Sequence, residues 1–176
     1  MATYPVFSVN EVLTADDMNA VGLWLVKTQT IGTAVASVAV SSVFSSDYEN
    51  YKIIVNGGTS NTAQAIRMQL GSSSTGYSYN TLIYNYGTGA ATVLNSNTAT
   101  LFDYAGEANA NYLTVDLDVR SPNLAKYTTI KGFYVGAGSG GTAVGVHAVA
   151  TAYTGFTLSV AGTMTGGTIR VYGYKN

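Results

Sequence analysis

Apolar and polar residues alternate with a period of two along most of the chain from about Thr33 onward. The clearest case is Leu113-Thr114-Val115-Asp116-Leu117-Asp118-Val119-Arg120. There Leu113, Val115, Leu117 and Val119 face one way, and Thr114, Asp116, Asp118 and Arg120 the other. The same alternation runs through 65–70, where Ile66, Met68 and Leu70 point inward, through 144–150 and 156–160, and at Ile169 and Val171. Half-buried strands of an antiparallel sheet carry this pattern. Further strands are expected over 35–41, 51–56, 77–86, 98–104 and 127–135, with Gly, Asn and Ser clusters between them. A total of about ten short strands at such spacings marks a sandwich or a barrel. The segment 44–50 reads as a tight turn linking two of them.

The first thirty or so residues follow another rule. Leu13-Thr14-Ala15-Asp16-Asp17-Met18-Asn19-Ala20-Val21 is a helix signal. Thr14 fits an N-cap, and Asp16 and Asp17 fall in the first turn, where free backbone N–H groups and the helix dipole favour anions. Met18, Val21 and Leu25 follow at helical spacing with Trp24 beside them, and Gly22 keeps the helix short. The chain therefore divides into an arm over residues 1–32 with one small helix, and an antiparallel β-sandwich domain over 33–176. The arm's Val6, Phe7, Val9, Val12 and Leu13 add more apolar surface than so short a segment buries alone. Phe7, Val9, Leu13, Met18, Val21 and Trp24 are thus expected to fasten it to a docking surface.

Charge narrows the classes of partner. Charged side chains make up 10% of the 176 residues, and the net charge is −1. No basic field exists to release counterions from a phosphate backbone, so nucleic acid is disfavoured. Ser, Thr, Asn and Gly must supply most of the polar exterior, and a quiet surface on a strand-rich domain predicts coverage by neighbouring subunits. No stretch reaches the ~18 apolar residues of a membrane-spanning helix, and Met1-Ala2-Thr3-Tyr4-Pro5 lacks the basic head of a signal peptide. There is no cysteine, hence neither a disulfide framework nor a thiolate metal site.

The chemical motifs mostly dissolve in their context. Gly136-Ala137-Gly138-Ser139-Gly140-Gly141 has the spacing of a dinucleotide-binding loop, but the residues after it alternate as a strand, so a flexible hairpin loop is expected. His147 is the sole imidazole and reads as a structural or interface residue. Asp116 and Asp118 lie on one strand face about 7 Å apart by strand rise. That spacing suits a cation or an acid/base pair, while Arg120 on the same face favours plain charge compensation. Asp103 and Glu107 are placed near a loop tip. No catalytic set, metal site or cofactor is read from these residues. Tyrosine is more informative: Tyr77, Tyr79, Tyr84 and Tyr86 crowd together with Asn80 and Asn85 between Gly76 and Gly87. Aromatic rings with neighbouring amides make a glycan platform; they equally make a subunit or partner interface, or ordinary packing.

Three passages carry a resemblance: Phe7-Ser8-Val9-Asn10-Glu11-Val12-Leu13-Thr14-Ala15-Asp16-Asp17-Met18-Asn19, then Val43-Phe44-Ser45-Ser46-Asp47-Tyr48-Glu49-Asn50-Tyr51-Lys52-Ile53, and the ending Gly166-Gly167-Thr168-Ile169-Arg170-Val171-Tyr172-Gly173-Tyr174. Together they resemble small virion proteins of tailed bacteriophages, especially phages of aquatic bacteria. The resemblance implies a non-enzymatic virion component assembled in the bacterial host cytoplasm. It also implies an N-terminal anchor and an outward-facing, jelly-roll-like β domain, commonly trimeric. The implied partners are copies of itself, other tail, baseplate or capsid proteins, and host-surface glycan. A tail-fibre or receptor-binding role comes first, a capsid decoration or head-fibre role second, and a glycan hydrolase using Asp116 and Asp118 third.

Overall fold

The computed structural model describes residues 22–174, and over that span the chain is all-β. The strands among the described residues are β1 (Trp24–Thr30), β2 (Val35–Val40), β3 (Asn50–Asn56), β4 (Thr59–Ser60), β5 (Gln64–Leu70), β6 (Tyr77–Asn85) and β7 (Ala91–Ala99). They continue with β8 (Phe102–Ala108), β9 (Leu113–Arg120), β10 (Thr128–Val135), β11 (Ser139–His147), β12 (Phe156–Thr165) and β13 (Thr168–Tyr174). The pairings are antiparallel, as the alternation requires.

The larger layer runs β1-β13-β3-β9-β10-β11-β6-β7, and the smaller runs β2-β12-β5-β8 with β4 on the far part of β12. β8 stitches them into one sheet. Its Gly106, Glu107 and Ala108 pair with Ile66, Ala65 and Gln64 of β5 on one side and with Val115, Thr114 and Leu113 of β9 on the other. Early strands pair with late ones in nested fashion, β1 with β13, β2 with β12 and β6 with β11. The sandwich-like core lies between the layers. Tyr51, Ile53 and Val55 of β3, the four apolar residues of β9, and Ile169 and Val171 of β13 meet Ile66, Met68 and Leu70 of β5 and Phe156 and Leu158 of β12. The β2–β3 connection contributes as well: Phe44 stacks on Phe156 at 5.7 Å and tilts against Tyr51 at 4.7 Å.

Several boundaries differ from the sequence expectation. The sheet starts at Trp24, ahead of residue 33, so Trp24 and Leu25 belong to a strand and not to a helix. A bulge between Leu25 and Lys27 breaks the period of two and conceals β1. The expected strand over 98–104 is two strands, because the chain turns at Thr100 and Leu101 between β7 and β8. Asp103 and Glu107 therefore lie within β8, not at a loop tip. β11 starts at Ser139, inside the glycine run, and ends at His147, short of 150. The expected small helix, and with it Phe7, Val9, Leu13, Met18 and Val21, falls outside the described residues.

Two edges of the sheet are tied to each other. Lys27 of β1 donates from Nζ to the Ser41 carbonyl at 2.8 Å, and Gln29 from Nε2 to the Ala39 carbonyl at 3.0 Å. Side chains of one edge strand thereby occupy backbone acceptors beside the other.

Candidate functional site

Register determines which side chains share the outer face of the larger layer. On β10, Thr128, Ile130, Gly132 and Tyr134 point inward, so Thr129, Lys131, Phe133 and Val135 point out. One cross-strand row reads Asp116–Phe133–Thr142–Leu82–Val93, and the next reads Asp118–Lys131–Val144–Asn80–Asn95. Phe133 is 58% exposed, Val93 55%, Tyr84 47% and Val144 46%. Beside this apolar group lies an open hollow of about 730 Å³ whose lining includes Tyr79, Asn80, Asn95, Asn97, Val144 and Val146. β6, β7 and β11 carry no Asp, Glu, Lys or Arg, so amides, hydroxyls and rings form this part of the face.

The tyrosine cluster expected from the sequence is split by the pleat. Tyr77 is fully buried: its hydroxyl accepts from the Leu70 N–H at 2.9 Å and donates to the Ser73 carbonyl at 3.1 Å. Burial pushes its phenol pKa up to about 12. Tyr79 is half-buried: it packs against the core and also borders the hollow that Asn80 lines. Asn80 and Tyr84 stand on the outer face. The Asn85 Oδ1 accepts from the Gly87 N–H, the Thr88 N–H and the Thr88 hydroxyl at 3.0, 3.0 and 3.2 Å, closing the β6–β7 turn. Tyr86, past the strand end, lies over Gly140, where an added Cβ would stand 2.3 Å from its hydroxyl. Trp24, expected in the anchor, is in β1, and its indole N–H has no partner among the described residues.

Phe133, Val93, Asn95 and Asn97 were not singled out from the sequence. Phe133 had a signal available, being a large apolar residue on the polar phase of its own strand.

The other chemical candidates are held in structural contacts. Lys52 of β3 donates to Asp116 and lies 3.7 Å from Asp118, so the compensating cation is Lys52 from the neighbouring strand. Burial works to lower the Lys52 pKa, and the hydrogen bond and charge of Asp116, with Asp118 behind it, outweigh that and raise it. His147 is fully buried between Tyr77 and Tyr153, at ring separations of 4.3 and 5.3 Å, with Nε2 2.9 Å from the Ser73 hydroxyl. Burial holds its pKa below the ordinary imidazole value, against contributions from the Thr75 and Val149 backbone. Glu107 is buried and accepts hydrogen bonds from the Tyr134 and Tyr112 hydroxyls. Arg67 and Asp103 pair at 3.0 Å.

The glycine run proves to be packing. The Gly136 N–H closes the hairpin onto the Ser139 carbonyl at 2.7 Å. Gly141 faces the β6 backbone so closely that an added Cβ would lie 1.7 Å from the Leu82 carbonyl oxygen. No protein-family model, curated protein or solved structure matches the chain.

Proposed function

We propose that the chain is a non-enzymatic structural protein of a tailed-phage virion. In this reading the N-terminal segment fastens it to the particle, and the sandwich, wound in jelly-roll-like fashion, offers its outer face to host-surface glycan as a tail-fibre or receptor-binding protein. The observation that carries the glycan part is the ion-free stretch built by β6, β7 and β11, which presents exposed Tyr84 and the amides of Asn80, Asn95 and Asn97, with exposed Phe133 of β10 at its border. Aromatic faces stack against the C–H side of a sugar, and amides match its hydroxyls without stripping water from a charge. The pairing of Asp116 and Asp118 with Lys52 gives both carboxylates a structural role and weighs against the hydrolase reading.

The test is attachment of the purified protein to host cells and to their extracted polysaccharide, compared with a Tyr84→Ala/Phe133→Ala double variant. The double variant should keep the fold, since both side chains project into solvent, and lose at least about tenfold in binding. Undiminished binding would refute the assignment of this face. Gold labelling of intact particles separately reports tail or shell, and copies confined to the shell would replace the receptor-binding role by capsid decoration.

A further inference from the structure

A second hollow lies on the same outer face, at the opposite end from the β6–β7 hairpin and with different chemistry. Tyr174, Asn50, Arg120 and Thr129 stand in one row across β13, β3, β9 and β10, each directly paired with the next. With Ser121 and Tyr127 from the β9–β10 connection they line a space of about 410 Å³, within the range of ~300–1,000 Å³ usual for ligand pockets. Its floor is built: Asn50 is 4% exposed, and the Ser121 N–H is fixed on the Glu49 carbonyl at 2.8 Å. Ser121 holds a φ of +57°, a left-handed conformation that costs a non-glycine residue energy and collects at ligand sites. Tyr127 stands at the rim, 58% exposed. Among the described residues Arg120 is the one cation that lines the hollow. The next outward carboxylate on β9, Asp118, is drawn to Lys52.

We propose that this hollow binds a carboxylate-bearing sugar, a uronic acid unit of a surface polysaccharide. The guanidinium of Arg120 takes the carboxylate through paired N–H donors, a fork that matches a planar anion. The Tyr127 ring lies against the C–H face of the pyranose, and the hydroxyls of Ser121, Thr129 and Tyr174 meet its ring hydroxyls. The single cation among the described lining residues suits a singly charged carboxylate better than a phosphate, whose second charge would call for another. The glycan reading above supplies the natural source of such a ligand, and the inference rests on it for that alone.

The experiment is a titration of the full-length protein, followed by NMR, with glucuronate, glucose, acetate and glucose 6-phosphate. Glucuronate should bind at least about tenfold more tightly than glucose or acetate, and Arg120→Gln should remove that advantage. Arg120→Lys should restore only part of it, because the charge returns without the fork. Tyr127→Ala should weaken glucuronate and leave acetate unchanged. Equal binding of glucose, or no effect of Arg120→Gln in a variant with unchanged unfolding midpoint, overturns the proposal. Acetate binding as tightly as glucuronate reduces the hollow to a small-anion site, and preference for glucose 6-phosphate makes it a phosphate site; either result also overturns it. The Tyr84→Ala/Phe133→Ala variant should bind glucuronate normally, so failure of the uronate site and failure of the proposed function are read separately.

Discussion

His147 makes the stability of this fold a function of pH in a way that one substitution isolates. It is the chain's only histidine, it is fully buried, and burial lowers its pKa from the ordinary value of 6.5. Two tyrosine rings and the Ser73 hydroxyl surround it, and the Thr75 and Val149 backbone, which favours the imidazolium, is outweighed by burial. Below pH 6.5 the unfolded chain takes up a proton that the folded chain refuses. The stability associated with the neutral ring is therefore complete above 6.5 and declines as pH falls from there to the folded-state pKa, where the decline stops. Within that window the slope from one such group approaches about 1.4 kcal/mol per pH unit. The assay is urea unfolding at a series of pH values, for the native chain and for His147→Phe. Phenylalanine fills similar space between the tyrosines but cannot titrate. Carboxylates protonate in both proteins and cancel in the difference. The native chain should lose stability relative to the variant as pH falls below 6.5, whatever the offset between them at pH 8. A flat difference through that range would refute the claim that the fold holds this imidazole neutral.

Three further outcomes follow from packing and charge. Leu117→Ala, at a fully buried position in β9 between β3 and β10, should cost about 2–5 kcal/mol in urea unfolding, and a loss below ~1 kcal/mol would deny its central place in the core. Gly141→Ala should force β11 from β6 and cost on the order of 1–3 kcal/mol or more, while Gly138→Ala, with nothing within 4 Å of the added carbon, should leave the unfolding midpoint unchanged. Lys52→Met should destabilise by about 1 kcal/mol or less, because its partners are partly exposed, and added salt should shrink the difference between the two proteins.

Legibility followed the environment of each strand. β9 was read to the residue because it is paired on both sides and stands between the core and an ionic outer face, so every second position is forced to be apolar. β7 went unread because it lies at an edge with most of its residues exposed, and Ala-Thr-Val-Leu-Asn-Ser-Asn-Thr-Ala shows no inside phase. β11 was displaced because close approach to β6 selects glycine, and glycine reads as loop. The tyrosine cluster held its own correction: Tyr79 and Tyr84 are an odd number of residues apart, so a strand must send them to opposite faces. The Arg120 hollow had no such signal. Its row unites residues from β13, β3, β9 and β10, and only the register brings them together.

That register also explains how so few charges divide one surface into two. The chain carries no Asp, Glu, Lys or Arg between Arg67 and Asp103, and none between Lys131 and Arg170. β6, β7 and β11 are cut from those runs and sit side by side, whereas β13, β3, β9 and β10 receive Arg170, Lys52, Asp116, Asp118, Arg120 and Lys131 on their outward phase. A continuous sheet thus has an ionic half and an ion-free half, and the two answer differently to salt. Binding to Tyr84 and the asparagines displaces no counterions and should hold its strength as ionic strength rises. Binding that depends on the Arg120 guanidinium is screened over a Debye length of roughly 10 Å at 0.1 M salt and should weaken. One polysaccharide that touches both halves would therefore show a partial salt dependence, and Arg120→Gln should abolish that part while sparing the remainder.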